Sequence, residues 1–144
     1  MARIVVGVDG SEHSKQALRW ALQEARLRGA SLEAVHAWTI PVYNGYGFGA
    51  VPIDPEALRD GAREMLDVAV DAVVTGAKDV LVDRKVVEGL AARALVEEAG
   101  GADLLVVGSR GLGGFKGLIM GSVSHQCTSH ATCPVVIVPH LARI

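Results

Sequence analysis

The chain of 144 residues is half apolar and carries a formal net charge of -2, which is enough core material for one domain, 1–144, and shows no run of charge typical of a nucleic-acid partner. No apolar run approaches the ~20 residues of a membrane-spanning helix, and the run after the N-terminus stops at Asp9, too short for a secretory signal. We therefore expect a cytoplasmic protein that partners neither membranes nor nucleic acids.

Strand-like and helix-like segments alternate along the chain. Short apolar runs predict strands at 4–8, 31–38, 80–87, 104–107 and 135–138. Helical spacing predicts helices at 11–28, 54–75, 90–98 and 121–129. Ser11 and Asp54 are suited to capping the first two helices, and Gly29 is suited to ending the first. The order predicts an α/β fold with a doubly wound, five-stranded parallel sheet in the order 3-2-1-4-5 and helices on both faces. A loop rich in Gly, Pro and aromatic residues, 39–53, separates the second strand from the second helix.

Two predicted strands end in residues suited to a ligand. Ligands of open parallel sheets bind beyond the carboxyl ends of the strands, where the strand order reverses. The first strand ends in Val8-Asp9-Gly10, and the Asp9 carboxylate can accept hydrogen bonds from ribose hydroxyls or an adenine amine. The fourth strand runs into the glycine-rich stretch VVGSRGLGGFKGLIMGSVSH, 106–125. Together these ends predict a crevice for a nucleotide. Alternatively, Asp9 is a turn or N-cap residue.

The glycine-rich stretch predicts an anion site at the start of the fourth helix. Backbone N–H groups and the helix dipole attract phosphate there. Gly121 would let the phosphate approach closely, Ser122 and Ser124 would add hydroxyl donors, and Arg110 and Lys116 are nearby cations. Alternatively, the glycines form a flexible connection and Ser122 is a simple N-cap.

The stretch matches neither of two common nucleotide motifs. A Walker loop, GxxxxGK[ST], needs Lys where Gly114 stands, and a GxGxxG fingerprint needs Gly where Lys116 stands.

Gly108, two residues, Gly111, nine residues and Gly121-Ser122 match the G-2x-G-9x-G[S/T] signature of the ATP-binding branch of the universal stress proteins, a family that the whole chain resembles. IVVGVDGSEHS resembles the family's first strand and Asp turn, AVHAW its second strand, ADLLVVGSRG its fourth and ATCPVVIVP its fifth. The resemblance implies a Rossmann-like fold related to the adenine nucleotide alpha hydrolases, ATP binding and homodimers.

The matched positions also imply a set of nucleotide-binding residues. Adenine and ribose would contact Val8, Asp9 and Gly10, and Ala37 would line the adenine pocket. Ribose and phosphates would be surrounded by Val107, Gly108, Gly111, Gly121, Ser122, Val123 and Ser124. Arg110 falls at a variable position of the motif and is carried as a phosphate candidate only.

The stretch offers little for phosphoryl transfer. Residues 108–124 contain no acid to serve as a base, and His125 is the only candidate. We expect a nucleotide-dependent sensor or regulator of the stress response with slow or no hydrolysis, with Mg²⁺ arriving on the nucleotide. A genuine ATPase is the alternative. Three other functions are disfavoured. A nucleotidyl transferase would need an HxGH-like motif, and an FMN protein would need more than the 4% aromatic residues present. A nucleotide-free stress protein would not need the glycine signature.

The fifth predicted strand is apolar throughout and lies at one edge of the predicted sheet. An exposed apolar edge invites aggregation unless another chain covers it. We therefore expect a homodimer paired through Val135–Val138.

The cysteines and histidines predict no metal site or disulfide. Cys127 and Cys133 lie six residues apart, which fits neither a CxxC pair nor a zinc site without further ligands. On a helix, His125 shares a face with Ser129 and not with His130. We expect reduced, mostly buried thiols. The remaining histidines are predicted to be surface or loop residues: His13, His36 and His140.

Overall fold

A computed structural model describes residues 2–40, 54–110 and 120–139 of the chain. The strands are Arg3–Gly7 (β1), Ser31–Trp38 (β2), Val82–Glu88 (β3), Leu104–Gly108 (β4) and Val135–Val138 (β5). The helices are Glu12–Arg28 (α1), Pro55–Val74 (α2), Ala91–Glu98 (α3) and Ser122–His130 (α4). Gly111, Lys116, His140 and most of the predicted loop 39–53 lie outside the described residues.

The five strands form one parallel sheet in the order β3-β2-β1-β4-β5, as the alternation of elements predicts. β1 lies at the centre between β2 and β4. Ile4, Val5 and Val6 are fully buried because helices cover both faces of the sheet, which explains why this strand is a continuous apolar run rather than an alternating one.

Two apolar layers sandwich the sheet. One layer packs α1 and α2 against Ile4, Val6 and their neighbours. The other packs α3 and α4 against Val5, Leu105 and Val107. Alternate residues of each strand enter opposite layers because strand side chains alternate. Within the described residues, no helix is both long and apolar enough to cross a bilayer.

The helix ends follow local sequence signals. Ser11 caps α1 by accepting a hydrogen bond from the N–H of Ser14, and Gly29 ends α1 with a left-handed φ of 65°. Asp54 caps α2 by accepting from the N–H of Glu56. The start of α4 differs from the alternative in which Ser122 is the cap: the cap is Gly121, and Ser122 is the first helical residue.

Candidate functional site

The carboxyl edge of the sheet gathers most of the residues singled out from the sequence. Asp9 and Gly10 follow β1, and Ala37 is the second-last residue of β2. Arg110 lies just beyond the end of β4 and is half-buried. Since β1 lies between β2 and β4 in a parallel sheet, all of these residues lie along one edge.

The carbonyl of Ser109, just beyond β4, binds the start of α4. This oxygen accepts hydrogen bonds from the N–H of Gly121 at 2.6 Å and from the hydroxyl of Ser124 at 3.1 Å. The N–H of Ser109 in turn donates to the carbonyl of Val138 at 3.0 Å. These bonds hold the first turn of α4 beside the end of β4.

The hydroxyl of Ser124 faces the protein. The side chain is buried, at 2% exposure, and its oxygen lies 3.1 Å from the carbonyl of Ser109 and 3.0 Å from that of Gly121. A hydroxyl has one hydrogen to donate, and both of these acceptors are backbone carbonyls of the protein. The side chain of Ser124 therefore links the start of α4 to the end of β4, which leaves its backbone N–H as its means of contacting a ligand.

The amino end of α4 carries backbone donors. The first N–H groups of a helix, here those of Ser122, Val123 and Ser124, have no intrahelical acceptor. The cap Gly121 makes no side-chain hydrogen bond to them. Ser122 is exposed and Val123 packs partly against the core. Together with the helix dipole, this end of α4 can bind an anion.

The packing of α1 against β4 explains why residue 108 is a glycine. A Cβ at this position would lie 2.8 Å from the carbonyl oxygen of His13 in α1. Such a distance to backbone cannot be accommodated without moving α1. At Gly108 the missing side chain therefore lets α1 pack against β4.

The Asp9 carboxylate is held in one orientation by Ser11. Its Oδ1 accepts hydrogen bonds from the N–H of Ser11 at 2.9 Å and from the Ser11 hydroxyl at 2.5 Å. The next residue, Gly10, has a φ of 86°, which glycine adopts without strain. Met65 of α2 packs over this turn, with its sulfur 3.1 Å from where a Gly10 Cβ would lie. The carboxylate is thus part of a rigid turn at the sheet edge.

Val8 and Val107 contribute backbone alone to this edge. Each side chain is 3% exposed, Val8 in the layer of α1 and α2 and Val107 in the layer of α3 and α4. Ala37 is half-buried and shares the strand face of Val35, which lies in the α3 layer.

His36 belongs to this edge, and its prediction as a surface or loop residue is wrong. It is half-buried in β2, and its ring Nδ1 lies 2.8 Å from the carbonyl oxygen of Val8. Ser14 is a second residue that sequence reasoning missed, since its hydroxyl accepts from the N–H of Asp9 at 3.2 Å. The predicted strand order places His36 and Ser14 near the end of β1. The sequence gives no signal for the hydrogen bonds that they make there.

The two cysteines are free thiols. Cys127 is fully buried against the α3 side of the sheet, and burial raises the pKa of its thiol to about 11. Burial also raises the pKa of the half-buried Cys133. In the three stretches that the structure describes, no group of three or more His, Cys, Asp or Glu side chains could hold a metal ion.

Known proteins resemble this chain in sequence. The model of the universal stress protein family matches residues 1–139. Universal stress proteins of Mycolicibacterium smegmatis and Mycobacterium tuberculosis are each 38% identical, over 138 and 137 residues, which is 94% of this chain and 45% of each relative. The chain therefore spans about half the length of these curated relatives.

Solved structures resemble it in fold. A universal stress protein crystallised in complex with cAMP has a TM-score of 0.70 and 30% identity, with 96% of both chains covered. A universal stress protein from Archaeoglobus fulgidus in complex with dAMP has a TM-score of 0.66 and 25% identity over 95% of this chain and 97% of that one. A protein from Lactobacillus plantarum, at 20% identity and a TM-score of 0.77 over 95% and 97% of the two chains, supports the fold alone. Because the family model matches residues 1–139, nearly the whole chain, this chain belongs to the universal stress protein family.

Proposed function

We propose that this chain binds an adenine nucleotide, with ATP as the preferred ligand, at the carboxyl edge of β1 and β4, and that the bound nucleotide makes it a sensor or regulator in a stress response. The observation that carries the proposal is the amino end of α4. Its N–H donors lack a side-chain cap and are held beside the end of β4 by the bond from Gly121 to Ser109. The complexes of two structural neighbours with cAMP and dAMP support an adenine nucleotide as the ligand.

The residues divide into a nucleoside half and a phosphate half. In the nucleoside half, the Asp9 carboxylate would accept from ribose or adenine, with Gly10, Ala37 and the backbone of Val8 beside it. In the phosphate half, the α4 donors would meet the phosphates. Those donors are the N–H groups of Ser122, Val123 and Ser124, and the other proposed members of the phosphate half are Val107, Gly108, Arg110, Gly111 and Gly121.

We propose slow or no hydrolysis. The stretch 108–124 holds no carboxylate to orient a water molecule or to hold Mg²⁺. Mg²⁺ would therefore be bound chiefly by the phosphates of the nucleotide. A genuine ATPase remains the second candidate, and a turnover measurement on the purified protein distinguishes the two.

We also propose that β5 pairs with β5 of a second copy. The outer strand at the other edge, β3, exposes the charged residues Asp83, Lys85 and Glu88, which is how edge strands avoid pairing. β5 carries Val135, Val136, Ile137 and Val138 with no charge. The contrast between the two edges favours β5 as the interface.

The nucleotide proposal is tested by calorimetric titration of nucleotide-stripped protein with Mg-ATP. We expect micromolar binding that weakens at least about tenfold, or ~1.4 kcal/mol, in Asp9→Ala and in Gly121→Val.

Gly121 has φ -76° and ψ 170°, which Val also adopts. Its added side chain should therefore obstruct the ligand without straining the backbone. Gly61→Val is the matched control, because a Cβ at Gly61 on α2 meets nothing within 4 Å. Absence of binding by the wild-type protein would refute the proposal.

A further inference from the structure

We infer that His36 and Ser14 are positioning residues of the nucleoside half, because they hold the peptide group between Val8 and Asp9 from two sides. This inference rests on the proposed nucleotide function and assigns roles to two residues beyond the family signature. Neither residue needs to touch the ligand. Each acts by fixing the backbone from which the Asp9 carboxylate projects.

The first contact comes from β2. The carbonyl oxygen of Val8 lies 2.8 Å from Nδ1 of His36. Since a carbonyl can only accept, Nδ1 must carry a hydrogen. Both the neutral Nδ1–H tautomer and the imidazolium form have that hydrogen, so the contact persists in either charge state.

The second contact comes from α1 and holds the other end of the same peptide group. The N–H of Asp9 donates to the hydroxyl oxygen of Ser14 at 3.2 Å. A peptide group is planar, so anchoring its carbonyl from β2 and its N–H from α1 fixes the rotation of the whole group. The backbone of Val8 is also tied to β2 by its own N–H, which donates to Val35 at 2.8 Å.

Ser14 and the α1 cap Ser11 also orient the carboxylate. The Ser14 hydroxyl donates to the carbonyl of Ser11 at 3.0 Å, and the N–H of Ser14 donates to the Ser11 hydroxyl at 3.2 Å. Ser11 in turn donates to Oδ1 of Asp9 through both its N–H and its hydroxyl. Ser11 and Ser14 are 8% and 5% exposed, so water competes little for these bonds. The backbone and the carboxylate of Asp9 thus belong to one hydrogen-bond network.

A second set of hydrogen bonds holds α4. Among the described residues, the bonds of Ser109 to Gly121 and Ser124 hold the start of α4, and they share no residue with the contacts of His36 and Ser14. Loosening the peptide group after Val8 should therefore disturb the nucleoside half and leave the start of α4 in place. That difference distinguishes a positioning role from a general loss of stability.

The experiment compares His36→Leu, which removes the donor, with His36→Asn, whose amide can still donate to the Val8 carbonyl. We expect His36→Leu to weaken Mg-ATP binding about tenfold, the value of one hydrogen bond, and His36→Asn to restore affinity to within about threefold of wild type. His130→Leu, at the exposed carboxyl end of α4, is the matched control. Ser14→Ala is a second variant that removes the other anchor and is expected to have the same effect.

Amide hydrogen exchange of the ligand-free protein supplies a readout that needs no nucleotide. In His36→Leu we expect the Asp9 amide to exchange about tenfold faster, with the Gly121 amide unchanged. Unchanged ATP affinity and unchanged Asp9 exchange would overturn the inference while leaving the nucleotide proposal intact. Equal acceleration at Asp9 and Gly121 would reduce His36 to a general structural role. If wild type binds no nucleotide, the proposed function fails and the role in binding fails with it, whatever the exchange shows.

Discussion

At the scale of single residues, the glycines of this chain serve different purposes. Gly10 supplies a left-handed turn residue after β1, and Gly121 caps α4 with no side chain in front of the backbone donors. Gly108 lies where α1 crosses β4 too closely for any Cβ. One signature therefore combines residues chosen for packing with residues suited to a ligand.

Gly108→Ala is expected to destabilise the protein by ~1–3 kcal/mol, the usual cost of forcing extra volume into a packed site. The new Cβ would lie 2.8 Å from the carbonyl oxygen and 2.9 Å from the carbonyl carbon of His13, and backbone cannot move aside as a flexible side chain can. Urea unfolding measures the loss. Gly61→Ala, in open space on α2, should instead be neutral or stabilising by up to ~1 kcal/mol. Equal stability of wild type and Gly108→Ala would show that α1 yields at this point.

At the scale of elements, the carboxyls of Glu33 on β2 and Glu98 on α3 shift the pKa of one another. Glu33 lies on β2 with Arg3 at 3.2 Å from its Oε2, and Oε1 is buried without a hydrogen-bond partner among the described residues. Lys85 of β3 lies 3.1 Å from the Glu98 carboxylate on α3. Burial and then the neighbouring Glu98 carboxylate raise the pKa of Glu33. Burial acts to raise the pKa of Glu98 as well. The interactions of Glu98 with Glu33 and Lys85 outweigh this effect of burial, and the pKa of Glu98 is lowered.

Glu33→Gln is therefore expected to raise the free energy of unfolding at pH 7. Because folding raises the pKa of Glu33, protonation of this carboxyl stabilises the folded state. That stabilisation is complete below the ordinary pKa of 4.5 and is lost as the pH rises through the pKa of the folded state. Gln does not titrate, so the gain should grow across that window and vanish in more acidic solution. Chemical unfolding at several pH values measures it.

Glu98→Gln is the matched comparison for this pair. Because folding lowers the pKa of Glu98, ionisation of this carboxyl stabilises the folded state. That stabilisation is present above the ordinary pKa of Glu98 and is lost as the pH falls through the lowered pKa of the folded state. Removing that charge should therefore lower stability at pH 7, the opposite of Glu33→Gln. Losses of similar size in both variants would mean that the ion pair of Arg3 with Glu33 outweighs the cost of burying the Glu33 charge.

At the scale of the whole molecule, the two edges of the sheet differ in how a second chain could approach. The carbonyls of Pro134 and Val138 accept from Leu105 and Ser109 of the β4 side at 2.9 and 3.0 Å. Backbone groups alternate along a strand, so the backbone groups of Val135 and Ile137 point to the outer edge. A second copy would pair with these groups.

If the chain forms the proposed β5-paired dimer, Ile137→Pro is expected to convert it to a monomer, because the substitution removes an outward-facing N–H and spares the ladder to β4. Sedimentation velocity measures the association, and far-UV circular dichroism verifies that the sheet persists. Val136→Pro is the control: its N–H faces β4, so it should disrupt the fold itself. A wild-type monomer, or a dimer that survives Ile137→Pro with its fold intact, would show that β5 is not the interface.

Much of this fold follows from the sequence alone. The apolar runs, the cap residues Ser11 and Asp54, and the terminal Gly29 are local signals that act within one turn or one strand, so element order and strand order could be predicted to within a few residues. The spacing of Gly108, Gly111 and Gly121 also indicated the family, because the sequence alone gives the number of residues between them.

Tertiary structure alone decided how the site is held together. His36 and Val8 are 28 residues apart, and His13 meets Gly108 across most of the chain. The inward-facing hydroxyl of Ser124 likewise depends on Ser109, which lies 15 residues before it. Periodicity and capping act between near neighbours, whereas these contacts arise only once the parallel crossovers bring the ends of β1, β2 and β4 to one edge of the sheet.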